Sequence, residues 1–396
     1  MEMGFQVAGS VRQKQSSINQ ELSYDVAIIG GGLAGLALSI QCARAGLNTA
    51  LFEKEKYPFH RVCGEYISFE SWNFLQELGL PLSDMELPHI NKLVVSAPSG
   101  KIIRESLNPG GFGISRFTLD FDLYNLAVSA GVHVHQSTRV MDVVYSKDSF
   151  NIFSNKNECS ARIVAGAFGK RSNLDIRWKR SFIRQRPGKL NHYIGVKYHI
   201  QTDFPKDQIA LHNFHNGYCG ISAIEDDKYC FCYLTNADNL RKNKNDIHQM
   251  EDNVLKRNPH LERIFRTADF LYREPLTISQ ISFHRKSQVD NHVLMVGDAA
   301  GLITPLCGNG MSIALHSSKI AFEEISTYFQ GMFSRFEMEQ QYALRWENNF
   351  SRRMQTGRMI QRFFGSETAT ASLIAFLRPF PSITQFLIRQ THGNTF

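Results

Sequence analysis

Apolar and polar positions follow two different rhythms along this chain. Near the start, Asp25–Ile29 is a short apolar run of the kind that forms a buried parallel strand. Apolar residues then recur at helical spacing from Leu33 to Ala45, and Asn48–Phe52 supplies a second apolar run. Strand, helix and strand in that order predict a βαβ unit. Later the period shortens to two: Tyr193–Ile200, Ile209–Phe214, Tyr218–Ile224 and Tyr229–Thr235 predict an antiparallel sheet. From about residue 331 onward the pattern is helical. No internal repeat and no long low-complexity segment interrupts this layout.

The first turn of the βαβ unit carries Gly30-Gly31-Gly32 and then Gly35, and the second apolar run ends on Glu53, about 20 residues further on. That spacing suits a dinucleotide. Gly30 permits a tight turn, Gly32 lets backbone amides approach a pyrophosphate at the helix N-terminus, and Gly35 lets the helix pack closely on the strand. Leu33 and Ala34 open the helix and join the glycines as candidate contacts. Glu53 is placed to accept hydrogen bonds from ribose hydroxyls.

A second segment lies far downstream. His292 to Gly301 reads His-Val-Leu-Met-Val-Gly-Asp-Ala-Ala-Gly, and Pro305-Leu-Cys-Gly-Asn-Gly leads into a helical pattern. With the N-terminal unit, these residues resemble the FAD-dependent oxidoreductase superfamily that contains the aromatic hydroxylases and the geranylgeranyl reductases. The resemblance implies that Asp298 binds FAD through its ribityl chain and that Gly308, Asn309 and Gly310 lie beside the flavin ring. A helix starting near Met311 would direct its positive end at the isoalloxazine and stabilise the anion formed on reduction.

Smaller similarities extend the resemblance. Arg61-Val62-Cys63-Gly64-Glu65 resembles the family's loop whose Arg reaches the FAD phosphates. Arg116 begins a stretch similar to the Arg-x-x-Leu-Asp helix start beside the cofactor. Val140, at the end of a strand expected over His133–Val140, matches the position whose backbone meets the adenine. Ala165–Ser172 resembles a Gly-Ala-Asp-Gly-x-x-Ser turn, with Phe168 in place of the usual Asp.

The implied fold is α/β: a Rossmann-like FAD-binding domain of the glutathione reductase type with an inserted antiparallel-sheet substrate domain and a helical C-terminus. Residues 24–88, 116–175 and 276–330 supply the discontinuous FAD domain, 89–115 and 176–275 the substrate domain, and 331–396 the helical region. Residues 1–23 are polar, lack an apolar signal core, and read as a disordered leader.

Composition narrows the class. At 396 residues and 43% hydrophobic side chains, the chain can bury a large core and exceeds one ordinary domain. No window of 18 uninterrupted apolar residues argues for a membrane span. Seven cysteines, an odd number without a disulfide framework, fit a reducing cytoplasm. Cys230 and Cys232 flank Phe231 in a strand pattern that puts both on one face as small hydrophobes, and no second ligand pair stands at zinc spacing, so no metal is expected.

The net charge of +7 is unevenly placed. Eight Lys or Arg against Asp175 lie between Lys170 and Lys189, and six Arg against Glu367 lie between Ser351 and Phe396. Both read as electropositive surfaces. With no recognised nucleic-acid module beside them, nucleic acid is not the expected partner. In the C-terminal stretch, bulky apolar residues alternate with Arg362, Arg378 and Arg389, the pattern of an interfacial helix or of a helix capping an apolar pocket. A cytoplasmic protein with peripheral contact at the inner face of the membrane is the corresponding expectation.

Within the superfamily, Gly301 stands where aromatic hydroxylases carry His, and Gly-Asp-Ala-Ala-Gly followed by Cys307-Gly-Asn-Gly looks more like the geranylgeranyl reductases. The resemblance therefore implies reduction of C=C bonds in a hydrophobic, isoprenoid or lipid-like substrate. The alternative is a flavin monooxygenase acting on an aromatic or polyketide-like ring, and a third reading is a non-catalytic flavin- or lipid-binding protein. The chain departs from the reductases where they carry Tyr-x-Trp-x-Phe-Pro, and from the flavin halogenases in lacking Trp-x-Trp-x-Ile-Pro. No second dinucleotide fingerprint appears, so NAD(P)H binding transiently, or another electron carrier, is expected as reductant. Cys63 and Glu65 are the candidate catalytic residues, donating or relaying the proton that completes C=C reduction.

Overall fold

The computed structural model describes residues 22–184 and 193–396. The expectation for the leader falls largely on residues outside these, as does the end of the basic stretch 170–189.

The βαβ unit forms as its pattern predicts, from strand Ser23–Ile29, helix Leu33–Arg44 and strand Thr49–Phe52. Val26, Ala27 and Ile28 are fully buried, as a parallel strand covered on both faces requires. Around them the first sheet runs in the order Val289–Asp290, Val293–Met295, Glu158–Gly166, Ser23–Ile29, Thr49–Phe52, His133–His135. The four pairings from Val293–Met295 to His133–His135 are parallel. A hairpin of Val140–Ser146 and Ser149–Ser154 continues antiparallel onto Glu158–Gly166. Helix Leu33–Arg44 packs between Arg116–Ser129 and Gly310–Phe329, which carries the downstream segment back to the N-terminal turn.

The strand expected over His133–Val140 is shorter. It ends at His135 because the backbone turns there: Ser137 adopts φ +51°, and the amides of Ser137 and Thr138 bond to the carbonyls of Glu55 and Glu53 at 3.1 and 2.8 Å. Val140 then begins the next strand.

The second sheet places Tyr193–Gln201, Tyr229–Asn236, Gly217–Ala223 and Gln208–Phe214 side by side and antiparallel. It continues through His89–Ser96 and Ile102–Gly113 to Tyr66–Ser68, and Leu276–Ile281 adds to the Tyr193–Gln201 edge. One junction departs from the antiparallel expectation: Gln208–Phe214 lies parallel to His89–Ser96. This joint unites chain segments more than a hundred residues apart, so no short hairpin constrains its direction.

The C-terminal region is helical, as Arg335–Gln361, Glu367–Leu377 and Pro381–Arg389. Between the first two, Gly365 takes φ +80° and meets the hairpin at Asn216, whose amide donates to the Gly365 carbonyl at 2.7 Å. The basic stretch is not uniformly a surface. Arg180 is 2% exposed and binds Asp175 at 2.9 Å, Asp290 at 3.2 Å and the Ala299 carbonyl at 3.0 Å.

Candidate active site

The glycines of the first turn divide by what surrounds them. Gly30 has φ +107°, and a side chain there would lie 2.5 Å from the Ala167 carbonyl oxygen. A Cβ on Gly35 would overlap the Gly30 carbonyl, and one on Gly31 would overlap the Tyr57 hydroxyl, which donates to the Gly31 carbonyl at 2.5 Å. These three glycines are required by the protein's own packing. Gly32 is different: its nearest neighbour would be Arg116 Nη2 at 3.6 Å. It is the N-cap of helix Leu33–Arg44 and provides no side-chain cap, so the first-turn amides have no side-chain acceptor. An uncapped helix start facing open space beside a guanidinium is suited to a phosphate. Leu33 and Ala34 form the first buried turn behind it.

Glu53, 3% exposed, anchors this turn. Its Oε2 accepts from the Gly31 amide at 2.9 Å and from Arg61 Nη2 at 3.0 Å, and its Oε1 accepts from the Glu55 amide at 3.0 Å. Arg61 also donates from Nε to Asp120 at 2.9 Å, and Arg116 grips the same carboxylate at 2.7 and 2.8 Å. Glu53, Arg61, Asp120 and Arg116 thus form a chain of alternating charge around the glycine turn. Asp120, which the sequence reading left without a role, is its central link.

The downstream segment arrives at the same place. A Cβ on Gly297 would lie 3.0 Å from Ala34 Cβ, so the two distant turns touch. The turn Gly297–Ala299 is clamped through its backbone: Lys286 Nζ donates to the Asp298 carbonyl at 2.7 Å, and Arg180 holds that of Ala299. Burial lowers the Lys286 pKa to about 8. The half-buried carboxylate of Asp298 has no hydrogen bond or ion pair among the described residues, so it is available to a ligand.

Gly308 follows with φ +68°, and helix Gly310–Phe329 starts with Asn309 at its N-cap and no side-chain cap. Asn309 Nδ2 donates to the Thr391 carbonyl. Asn309 Oδ1, Ser312 Oγ and the Tyr66 hydroxyl are buried without a hydrogen-bond partner, and Tyr66 packs on Gly308. Buried polar groups are rarely left unpaired. Three of them around a second uncapped helix start fit the polar edge of a flavin, as the Gly32 cradle fits its pyrophosphate.

Two further expected positions carry less. Val140 is buried, and its carbonyl accepts from Asn173 Nδ2 at 3.1 Å. Phe168 fills space against Gly166 and Met295, with its backbone beside Gly30.

The loop 61–65 places Glu65 in a buried ionic cluster. This residue is fully buried at φ +54°, and its carboxylate accepts from Lys197 Nζ, from His199 Nε2 at 2.6 Å and from the Arg116 amide at 2.7 Å. Burial by itself would raise its pKa, but Lys197 and the His199 hydrogen bond outweigh that and hold it below the usual carboxylate range. Glu65 is therefore held as an ionised acceptor at neutral pH. The chain continues from His199 Nδ1 to the Tyr272 hydroxyl at 2.7 Å and on to His60 at 3.2 Å. Burial, then Lys197, lowers the His60 pKa to about 4. Cys63 is half-buried, its thiol contacts Arg116, and its carbonyl accepts from Cys230 Sγ at 3.2 Å.

Sequence reasoning missed Lys197, His199, Tyr272 and His60. One signal was present, since Lys197 and His199 put two cationic types on the same face of an otherwise apolar strand. Among the described residues no group of His, Cys, Asp or Glu could hold a metal ion.

Comparison with known proteins gives this geometry its setting. Conditioned medium factor receptor 1 of Dictyostelium discoideum is 27% identical, over 90% of this chain and 75% of that protein. Digeranylgeranylglycerophospholipid reductase of Methanococcus vannielii is 25% identical over 83% of each. A flavin-dependent brominase structure superposes with a TM-score of 0.76 at 19% identity, covering 93% of this chain and 95% of that one, which shows a shared fold. The FAD binding domain model matches residues 23–332, a span that includes the Gly32 cradle, the Asp298 turn and the Gly308–Gly310 turn. The chain therefore belongs to the FAD binding domain family, as an FAD-dependent oxidoreductase.

Proposed function

We propose that this protein reduces C=C bonds of a hydrophobic, isoprenoid or lipid-like substrate. The observation that carries this reading is the apolar packing beside the flavin-side turn. Leu302 sits there in one apolar cluster with Tyr218, Ile281 and Phe283 of the second sheet and with Ile374 and Leu377 of the C-terminal helices. These side chains are buried against one another, and an apolar chain is the ligand suited to a site walled by such packing. The residue at 301 supports the same branch: a side chain on Gly301 would lie 2.7 Å from Trp346 Cη2, so the packing excludes the His that aromatic hydroxylases carry. The three tryptophans, Trp72, Trp178 and Trp346, form no Trp-x-Trp pair, which separates the chain from that halogenase signature.

In this reading Gly32, Leu33, Ala34, Glu53, Arg61 and Arg116 hold the dinucleotide end of FAD, Asp298 its ribityl chain, and Gly308, Asn309 and Gly310 its ring. Flavin held by these residues would, once reduced, supply the hydride. Cys63 is the candidate proton donor of its loop, and Glu65 positions that loop through Lys197 and Arg116. NAD(P)H or another carrier supplies electrons transiently. The deciding experiment reduces the protein with dithionite under anaerobic conditions and adds an unsaturated prenyl lipid. Product two hydrogens heavier supports reduction; product gaining oxygen or halogen only when dioxygen or halide is present overturns it.

A further inference from the structure

We infer that the elbow between helices Glu367–Leu377 and Pro381–Arg389 docks the protein on an anionic lipid bilayer. The two helices meet at 113°, and no single helix among the described residues is long and apolar enough to cross a membrane. The elbow is two-sided. Its inner side is anchored: Ile374 and Leu377 pack beneath the second sheet, Ile388 joins Tyr66 and Leu107, and Gln385 Nε2 donates to the Ser106 carbonyl at 2.9 Å. Its outer side presents Phe376, Phe380, Ile383 and Phe386 at 57, 47, 39 and 56% exposure, with the rings of Phe376 and Phe380 5.6 Å apart. Clustered large apolar side chains on a fixed surface mark a docking face.

The charge around this face selects the occupant. Arg362, Arg378 and Arg389 are exposed and have no ion-pair partner among the described residues, while Glu367 is the one acid between Ser351 and Phe396. Each unpaired arginine near an anionic surface contributes favourably, and phenylalanines insert at the boundary between headgroups and acyl chains. A second copy of the chain is a poorer fit, because a two-fold contact of this patch with itself would bring the same arginines together. The elbow also leads directly to the site. Helix Pro381–Arg389 is followed by Thr391, whose carbonyl accepts from Asn309. A substrate drawn from a bilayer would thus enter beside the flavin-side turn, although docking itself does not depend on the redox reading.

The test is co-sedimentation of the full chain with vesicles of phosphatidylcholine alone and of phosphatidylcholine with one-third phosphatidylglycerol. Binding is expected to the anionic vesicles, with release at high salt. Each of Arg378→Gln and Arg389→Gln should weaken it roughly fivefold. The triple variant Phe376→Ser, Phe380→Ser, Phe386→Ser should abolish it while its thermal melting midpoint stays near that of the parent. Equal sedimentation of parent and triple variant, or equal binding to neutral and anionic vesicles, overturns the inference. A dimer seen by light scattering and lost in the triple variant, without vesicle binding by the parent, overturns it in favour of a second copy.

Discussion

The turn at Gly30–Gly35 and the cluster around Glu65 are both buried and ionic, yet they are built in opposite ways. The first is assembled mainly from one short stretch of chain, with Glu53 closing on Gly31 across 22 residues and Arg116 brought in beside them. The second joins residue 65 to residues 197 and 199 of one strand of the second sheet and to residue 272 in a loop beyond it. A site made of neighbours can be read as a motif. A site made of distant residues exists only once the sheet has formed.

The sharpest way to break this comparison is to separate folding from binding within the glycine turn. Gly35→Val should leave no stable native protein, because its side chain overlaps the Gly30 carbonyl. Gly32→Val should melt near the parent temperature as apoprotein while losing bound FAD. Thermal melts with and without FAD distinguish them, and a folded Gly35→Val protein would contradict the packing argument.

For the Glu65 cluster, Lys197→Met should cost about 3 to 5 kcal/mol, since it leaves a buried carboxylate without its cation. The double variant Lys197→Met, Glu65→Gln should recover much of that loss, measured by urea denaturation. If the double variant is no more stable than the single, the ion pair is not what holds the loop. Glu65→Gln alone should lower turnover at unchanged FAD content, and a fall in FAD content would move Glu65 into the cofactor site.

Asp298→Ala tests the third convergent element. Removing a charge-assisted hydrogen bond worth about 1.5 to 3 kcal/mol should raise the FAD dissociation constant roughly ten- to a hundredfold. An unchanged constant in a fluorescence titration would leave Asp298 outside the cofactor site.

A graded effect, spread over several pH units, is on pH dependence. His212 is buried, with Nδ1 2.9 Å from Ser96 Oγ, and burial followed by nearby His260 lowers its pKa to about 3. The unfolded chain binds this proton near pH 6.5 and the folded chain does not, so stability falls as pH drops through that interval, by at most about 1.4 kcal/mol per pH unit. His212→Asn should flatten the slope of stability against pH between 6.5 and 4. Glu65 acts at the lower end: its folded pKa is depressed, so its contribution is present above the unfolded carboxylate value and is lost on further acidification.

The sequence by itself determined the first strand, helix and strand, the glycine turn, the start of helix Gly310–Phe329 and the second sheet's main strands, because periodicity and glycine placement act over a few residues. It also marked Arg61, Arg116 and Asp298, through short patterns. Only the tertiary structure decided that Asp120 links Arg61 to Arg116, that Arg180 is a buried tie and that Glu65 is held ionised. Those outcomes depend on which charges meet in the interior, and a charge removed from water must find its partner wherever the fold delivers one. The spacing of residues along the chain carries no record of that meeting.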